Sequence, residues 1–265
     1  MRLLIHLQPV AETSEIPVDN YPLASVVYHL IASVAPDYAA FLHEEGFAAD
    51  FEGGATSEGA GEPRVSYKRF KFFVFSRLAQ RNKRIVGDRI RLNDSLVTWQ
   101  IGSPIDEMVG ALAESLMMGQ VTIGDQQSQA AFIVAGIDIA EAPPIDRGMR
   151  GETISPIFVS VDETGADGRR IKHHVRAEDG RFASRVVANL REKYRALVGD
   201  EPEDDDLEFR FIEAPRSQLV QYKGTNHKCY MGRFALSGDP RLIRLAWEAG
   251  LGEANSKGFG MIRAL

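Results

Sequence analysis

The sequence has one cysteine, Cys229. An internal disulfide and a cysteine-built zinc site are therefore excluded. No apolar run reaches the about eighteen residues a membrane-spanning helix needs, and Met1-Arg-Leu-Leu-Ile-His6 is too short, and turns polar too soon, for a secretory signal. A cytoplasmic protein with no membrane partner is expected. Nor do His, Cys and carboxylate residues cluster at metal-ligand spacing, so no cofactor and no metal are expected. Positive charge is also in deficit: the 265 residues carry a net charge of −6. Its distribution qualifies that number. Residues 200–206 hold six acids, so the rest of the chain is neutral overall, and from Arg64 to Arg91 ten bases face one acid, Asp88. Phosphate affinity depends on such local clustering more than on the total, although a solvated basic hairpin has the same composition.

Apolar residues make up 44% of the chain, enough for two cores of common size. Leu3, Ile5 and Leu7 alternate as in a strand. Asn20 stands at a helix N-cap position, and Leu23, Val26, Val27, Leu30, Ile31 and Val34 repeat at helical spacing behind it. Tyr28 and His29 flank that stripe. Asp37 to Glu45 predicts a short second helix, with His43 in its last turn and off its buried side. Residues 52–63 predict a mobile polar loop. Strands are predicted at Tyr67–Leu78, Arg84–Leu92 and Leu96–Ile101, a helix after Ser103-Pro104, and strands at Val121–Ile123 and Ala131–Ile139. In the first of these strands Arg69, Lys71, Phe73, Phe75 and Arg77 share a face, a pattern that suits phosphate contacts and base stacking as well as a core strand with snorkelling ends. Glu141-Ala-Pro-Pro-Ile145 is a candidate linker.

A second round follows: strands at Thr153–Val161 and Ile171–Val175, a helix marked by Phe182, Val186, Val187, Leu190 and Tyr194, strands near Leu207–Ile212, Gln218–Tyr222 and His227–Leu236, and a helix from Asp239-Pro240 to Gly250. Two β-α-β-β-α-β rounds predict an α+β protein of two tandem ferredoxin-like, RRM-like domains with antiparallel sheets, divided at 1–142 and 143–265. The chain closes on Gly250-Leu-Gly-Glu-Ala-Asn-Ser-Lys-Gly-Phe-Gly260 and a predicted strand from Phe259. Glycine amides can approach an anion without Cβ interference. The order helix, loop, strand argues against a dinucleotide or P-loop site, which needs strand, loop, helix. A nucleic-acid backbone or a purely structural turn remains.

With these residues in view, the chain resembles the Cas-six family of CRISPR repeat-processing endoribonucleases. The likeness rests on the glycine-rich tail through Met261, on Ile16-Pro17, Val27-Tyr28, Phe41-Leu42-His43-Glu44 and Phe73 to Leu78, and on Ser155-Pro156-Ile157, in family order over nearly the full length. The resemblance implies two ferredoxin-like domains. It also implies metal-independent cleavage of CRISPR precursor RNA within the repeat, a ribose 2′-hydroxyl attacking the adjacent phosphate to leave a 2′,3′-cyclic phosphate and a 5′-hydroxyl. His43 matches the family's base and Tyr28 its assisting tyrosine. The family's lysine shortly after the histidine is missing from residues 44–52, so the cation must come from elsewhere, with Lys68, Lys71 and Lys257 as candidates. RNA contacts are expected from Lys68, Arg69, Lys71, Arg77, Gly252, Ser256, Lys257 and Gly258. His173-His174 could contact RNA or supply a second acid, or could sit in a plain basic hairpin. CRISPR repeat RNA is the implied partner, with CRISPR effector subunits and a homodimer left open. Two other readings stand beside this one: a non-catalytic RNA-binding subunit of a CRISPR effector complex, and a small-molecule or protein-binding module.

Overall fold

The structure, a computed structural model, describes the chain except residues 12–13, 50–67, 83, 165–169 and 205. The loop expected over 52–63 thus lies outside the described residues, as do Arg64, Lys83 and Arg169. Among the described residues no helix is long and apolar enough to cross a membrane.

Strand β1 (Arg2–Pro9) buries Leu3, Ile5 and Leu7 and so takes the centre of a sheet. Around it lie β2 (Val74–Phe75), β3 (Val97–Gly102), β4 (Gln120–Gly124) and β5 (Gln129–Ile139), in the antiparallel order β2-β3-β1-β5-β4. The register sets Ile5 opposite both Trp99 and Ile137. Helices α1 (Tyr21–Val34), α2 (Pro36–Glu44) and α3 (Asp106–Leu116) supply the rest of this core, which contains Val27, Ile31, Leu42, Met108 and Leu112. Without the added edge strand β4, this is the ferredoxin-like order. The same permutation recurs after residue 145. Strands β6 (Gly148–Thr153), β7 (Leu207–Phe211), β8 (Arg233–Gly238) and β9 (Ile262–Ala264) pair antiparallel as β7-β8-β6-β9. Helices α4 (Arg181–Val198) and α5 (Pro240–Ala249) cover them, with Phe182, Val186, Leu190, Phe234 and Leu242 in the core. The protein is two tandem ferredoxin-like domains, the α+β class its periodicity predicts.

Several predicted strands are interrupted, each for a local reason. Tyr67–Leu78 is two pieces: Lys68–Phe70 pairs with Phe47–Ala49, and Val74–Phe75 joins the main sheet. Phe72, at φ +49°, turns the chain between them. The alternation expected of one strand is lost, and Phe73 and Phe75 are both fully buried, so they pack the core and stack no bases. Arg84–Leu92 is a hairpin, Arg84–Val86 against Arg89–Leu92, with Gly87 in the turn and Ser14–Pro17 on its outer side. Ser155-Pro156-Ile157 leaves the sheet after Thr153, and the next strand, Ser160–Thr164, pairs with Arg170–His174. The remaining hairpin, Arg216–Tyr222 with Thr225–Met231, turns at Lys223-Gly224, both at positive φ. Of the predicted terminal strand only Ile262–Ala264 pairs.

The acidic run is an ion-paired connector between α4 and β7, with Glu201 on Arg195, Glu203 on Arg241 and Asp204 on Arg147. The two domains are locked by Arg2. The residue is 2% exposed, and its guanidinium lies 4.3 Å from the Trp247 ring and donates to the carbonyls of Trp247 on α5 and, at 2.7 Å, Ile262 on β9. Arg2→Met keeps the stem and removes the donors, leaving two carbonyls unpaired. Urea unfolding is expected to show a loss of ~2–4 kcal/mol; parental stability would remove Arg2 from the interface.

Candidate functional site

Two turns along α1 from Asn20, Tyr28 meets the end of α2. Its ring lies 5.9 Å from that of His43, edge to face at 77°, and 5.5 Å from Phe73. His43 is exposed, whereas Tyr28 is half-buried, and burial, with Tyr222 adding to it, pushes the Tyr28 hydroxyl up to about 12. The hydroxyl therefore keeps its proton at neutral pH and is a donor, not a base. The last turn of α2 presents unpaired carbonyls, which attract cations. Lys71 donates to the His43 carbonyl at 3.2 Å and Arg69 to that of Glu44 at 2.8 Å. Burial and then Arg69 push the Lys71 ammonium below its ordinary value.

The glycine-rich loop faces this strand across a narrow cleft. Lys68–Phe73 form one wall, Gly252–Ser256 the other, and Asn189 and Lys193 of α4 lie between. The loop is held from beneath. The fully buried Lys193 ammonium donates to the carbonyls of Gly250 at 2.7 Å and Gly252 at 3.1 Å, and burial pushes it well below the usual lysine range. Beside it Lys68 pairs with Glu192 at 2.7 Å and Glu253 at 3.9 Å, Arg185 bridges the same two carboxylates, and Ser160 donates to Glu253 at 2.6 Å. From above, the Asn20 amide reaches the carbonyls of Lys257 and Gly258 at 3.2 and 3.3 Å while accepting from Arg77. Asn20 occupies the N-cap position of α1, as its reading expects, but makes no side-chain cap there; its amide is spent on the loop instead.

The expected site residues thus separate. His43, Tyr28, Arg69 and Lys71 gather at the end of α2, while Ser256 and Lys257 are half-exposed on the loop. Lys68 is engaged by carboxylates rather than free for phosphate, and Arg77 is tied to Asn20. Gly252 and Gly258 are buried. A Cβ on Gly252 would stand 2.5 Å from the Phe158 carbonyl, and one on Gly258 2.7 Å from the Phe75 ring, so protein and not ligand requires glycine there. Lys193 and Glu192 had gone unnoticed. The signal was present for Lys193: it continues the buried stripe Phe182, Val186, Leu190 at helical spacing.

Comparison with known proteins bears on this arrangement, because the loop and its supports Ser160, Arg185, Glu192 and Lys193 fall in a matched region. Residues 140–264 match the family described as CRISPR associated protein Cas6, C-terminal. The C-terminal part of the chain is thus similar to the Cas6 family. The chain is 28% identical to CRISPR-associated endoribonuclease Cas6 1 of Methanocaldococcus jannaschii, over 99% of this chain and 92% of that protein. A solved Cas6-related protein from Pyrococcus furiosus superposes with a TM-score of 0.81 at 22% identity, covering 100% of this chain and 98% of the other. A structure described as an RAMP protein binding different RNA substrates superposes with a TM-score of 0.80 at 20% identity, covering 100% and 99%. These two likenesses bear on the fold alone, and both extend over the N-terminal domain as well.

The carboxylates under the loop set an acid limit on stability. Burial alone would raise both. Hydrogen bonds from Arg185 and the charge of Lys68 hold Glu192 below the ordinary carboxylate range, and Lys68, Ser160 and Lys172 do the same for Glu253. A depressed folded value contributes stability that is complete above the unfolded value of 4.5 and is lost as pH falls through the folded value. Denaturant midpoints are expected to drop steeply below about pH 4.5. Glu253→Gln should flatten that limb and cost ~1.5–3 kcal/mol at pH 7; an unchanged limb would show that Glu253 does not couple to folding.

Proposed function

We propose that this protein is a member of the Cas6 family and a metal-independent endoribonuclease that cleaves CRISPR repeat RNA. The carrying observation is the grouping of a histidine, a protonated tyrosine and two cations at the end of α2, across a cleft from the glycine-rich loop. His43 takes the proton from a ribose 2′-hydroxyl. The 2′-oxygen then bonds to the adjacent phosphorus and the bond to the 5′-oxygen breaks, giving a 2′,3′-cyclic phosphate. Tyr28, which keeps its proton, donates toward the departing 5′-oxygen, which leaves as a 5′-hydroxyl. Lys71, with Arg69 behind it, faces the charge that builds on the nonbridging oxygens, replacing the lysine absent after His43. In this reading the domain of residues 1–142 cuts and that of residues 143–265 holds the strand, chiefly through Ser256 and Lys257.

A second reading keeps the RNA and removes the cut. The cation nearest His43 is bonded to its backbone carbonyl and not to its ring, an arrangement that a non-catalytic RNA-binding subunit of an effector complex would tolerate.

Incubation of labelled repeat RNA with the protein in EDTA separates the two. The first reading expects cleavage to persist, to fall ~10²–10⁴-fold in His43→Ala, and to fall by a smaller factor in Tyr28→Phe. Parental cutting by His43→Ala would dismiss the assignment of the base, and tight binding without any cutting would favour the second reading. Lys71→Ala is expected to lose ~10²–10³ in kcat, and equal rates would return the choice of cation to Lys257.

A further inference from the structure

A second cluster of titratable groups lies on the C-terminal domain, outside the catalytic grouping. Three segments build it: the strand Arg170–His174, the strand Thr225–Met231, and the glycine-rich loop. Strand alternation puts Lys172 and His174 on one face and turns His173 to the other, where its Nε2 is 3.8 Å from Glu163. The imidazoles of His174 and His227 lie parallel, 5.9 Å apart at 10°. Phe158 packs edge-on at 5.1 and 4.9 Å, and Phe259 lies 5.5 Å from His227, so both rings are backed by core. The Lys228 backbone N–H donates to His174 Nδ1 at 3.1 Å, which puts the neutral ring's proton on Nε2, the atom free to donate.

The charge around these rings is lopsided. Lys257 stands over the Tyr222 ring at 5.1 Å and Lys223 over the Tyr21 ring at 4.4 Å, and neither has a carboxylate within ion-pair distance among the described residues. Lys172 shares Glu253 with Lys68 and Arg185. Asp19 is the acid that acts on His227, and its carboxylate already accepts from the Tyr21 N–H. Burial first, then Lys257, His174 and Lys172, push His227 below the ordinary histidine value, and His174 and Lys257 are lowered in the same sense. In a protein with a net charge of −6, this face keeps its cations in mutual repulsion. The group that would relieve it is an anion. The surface is also continuous with the catalytic grouping, because Tyr222 packs against the N-terminal core that holds Tyr28.

We propose that His174, His227, Lys172 and Lys257 form a phosphate-binding subsite that grips the RNA strand away from the scissile bond. His174 Nε2–H and the Lys257 ammonium donate to phosphate oxygens, Lys172, held by Glu253, adds its charge beside them, and His227 presents its ring edge from a fixed, phenyl-backed position. This subsite rests on the RNA-binding reading above.

The test uses the full chain with His43→Ala, which leaves the RNA uncut, and labelled repeat RNA titrated at several salt concentrations. Each phosphate of a single strand that a cation neutralises contributes ~0.7 to the slope of log affinity against log salt. His174→Ala combined with His227→Gln is expected to weaken binding by about 5–30-fold without changing that slope, because neutral rings displace no counterion, and adding Lys257→Ala is expected to reduce the slope by about 0.7. An affinity of the histidine variant equal to that of the His43→Ala protein would overturn the subsite. Should the combined variant fail to fold, imidazole NMR on the His43→Ala protein decides: the His174 and His227 ring signals should move on adding repeat RNA, and also, in the same direction at higher concentration, on adding inorganic phosphate. Ring signals unmoved by saturating RNA would overturn the subsite while leaving the cleavage reading intact. Absence of any salt-dependent RNA binding would overturn both.

Discussion

A lysine ammonium shut away from water must find acceptors or give up its proton, and Lys193 finds two in the carbonyls of Gly250 and Gly252. Much of the site depends on that pair of hydrogen bonds. They fix the start of the glycine-rich loop over α4, which brings Glu253 into reach of Lys68, Arg185 and Lys172. Lys68 in turn belongs to the strand whose next basic residues, Arg69 and Lys71, close the end of α2 beside His43. A single buried cation thus sets the spacing between a loop in one domain and a histidine in the other.

Much of the fold was legible in the sequence, and the reasons differ by element. Leu3, Ile5 and Leu7 alternate because β1 has one buried face, and the stripes of α1 and α5 repeat because each covers a sheet. Pattern reading failed where both sides of a segment are buried. Around Phe70 to Phe75 every aromatic is inside, so the residues carry no period, and the turn at Phe72 uses a left-handed backbone that its side chain does not advertise. In the site, residue type pointed to His43, Tyr28 and Lys257. It could not assign Lys68 or Asn20, because what an amide or ammonium binds depends on contacts over a hundred residues away.

The glycines of the loop illustrate the same limit. Their number suggested open amides for an anion. The backbone shows instead that Gly250, Gly252, Gly258 and Gly260 all sit at positive φ, with protein atoms filling the space a side chain would take. The loop is a rigid shelf, and the groups that face outward from it are Ser256 and Lys257. For the proposed RNA contact this matters, since a preorganised surface loses little entropy on binding.

The Arg2 lock carries a consequence for the order in which the chain folds. Its partners, Trp247 and Ile262, lie 245 and 260 residues away along the sequence. A contact of that span closes a long loop, and the closure entropy must be met before the contact returns anything. The N-terminal domain can therefore assemble its sheet around β1 while this guanidinium still has only water and its own domain for company. The joint seals only once α5 and β9 are in place, so the seam registers the folding of both domains at once.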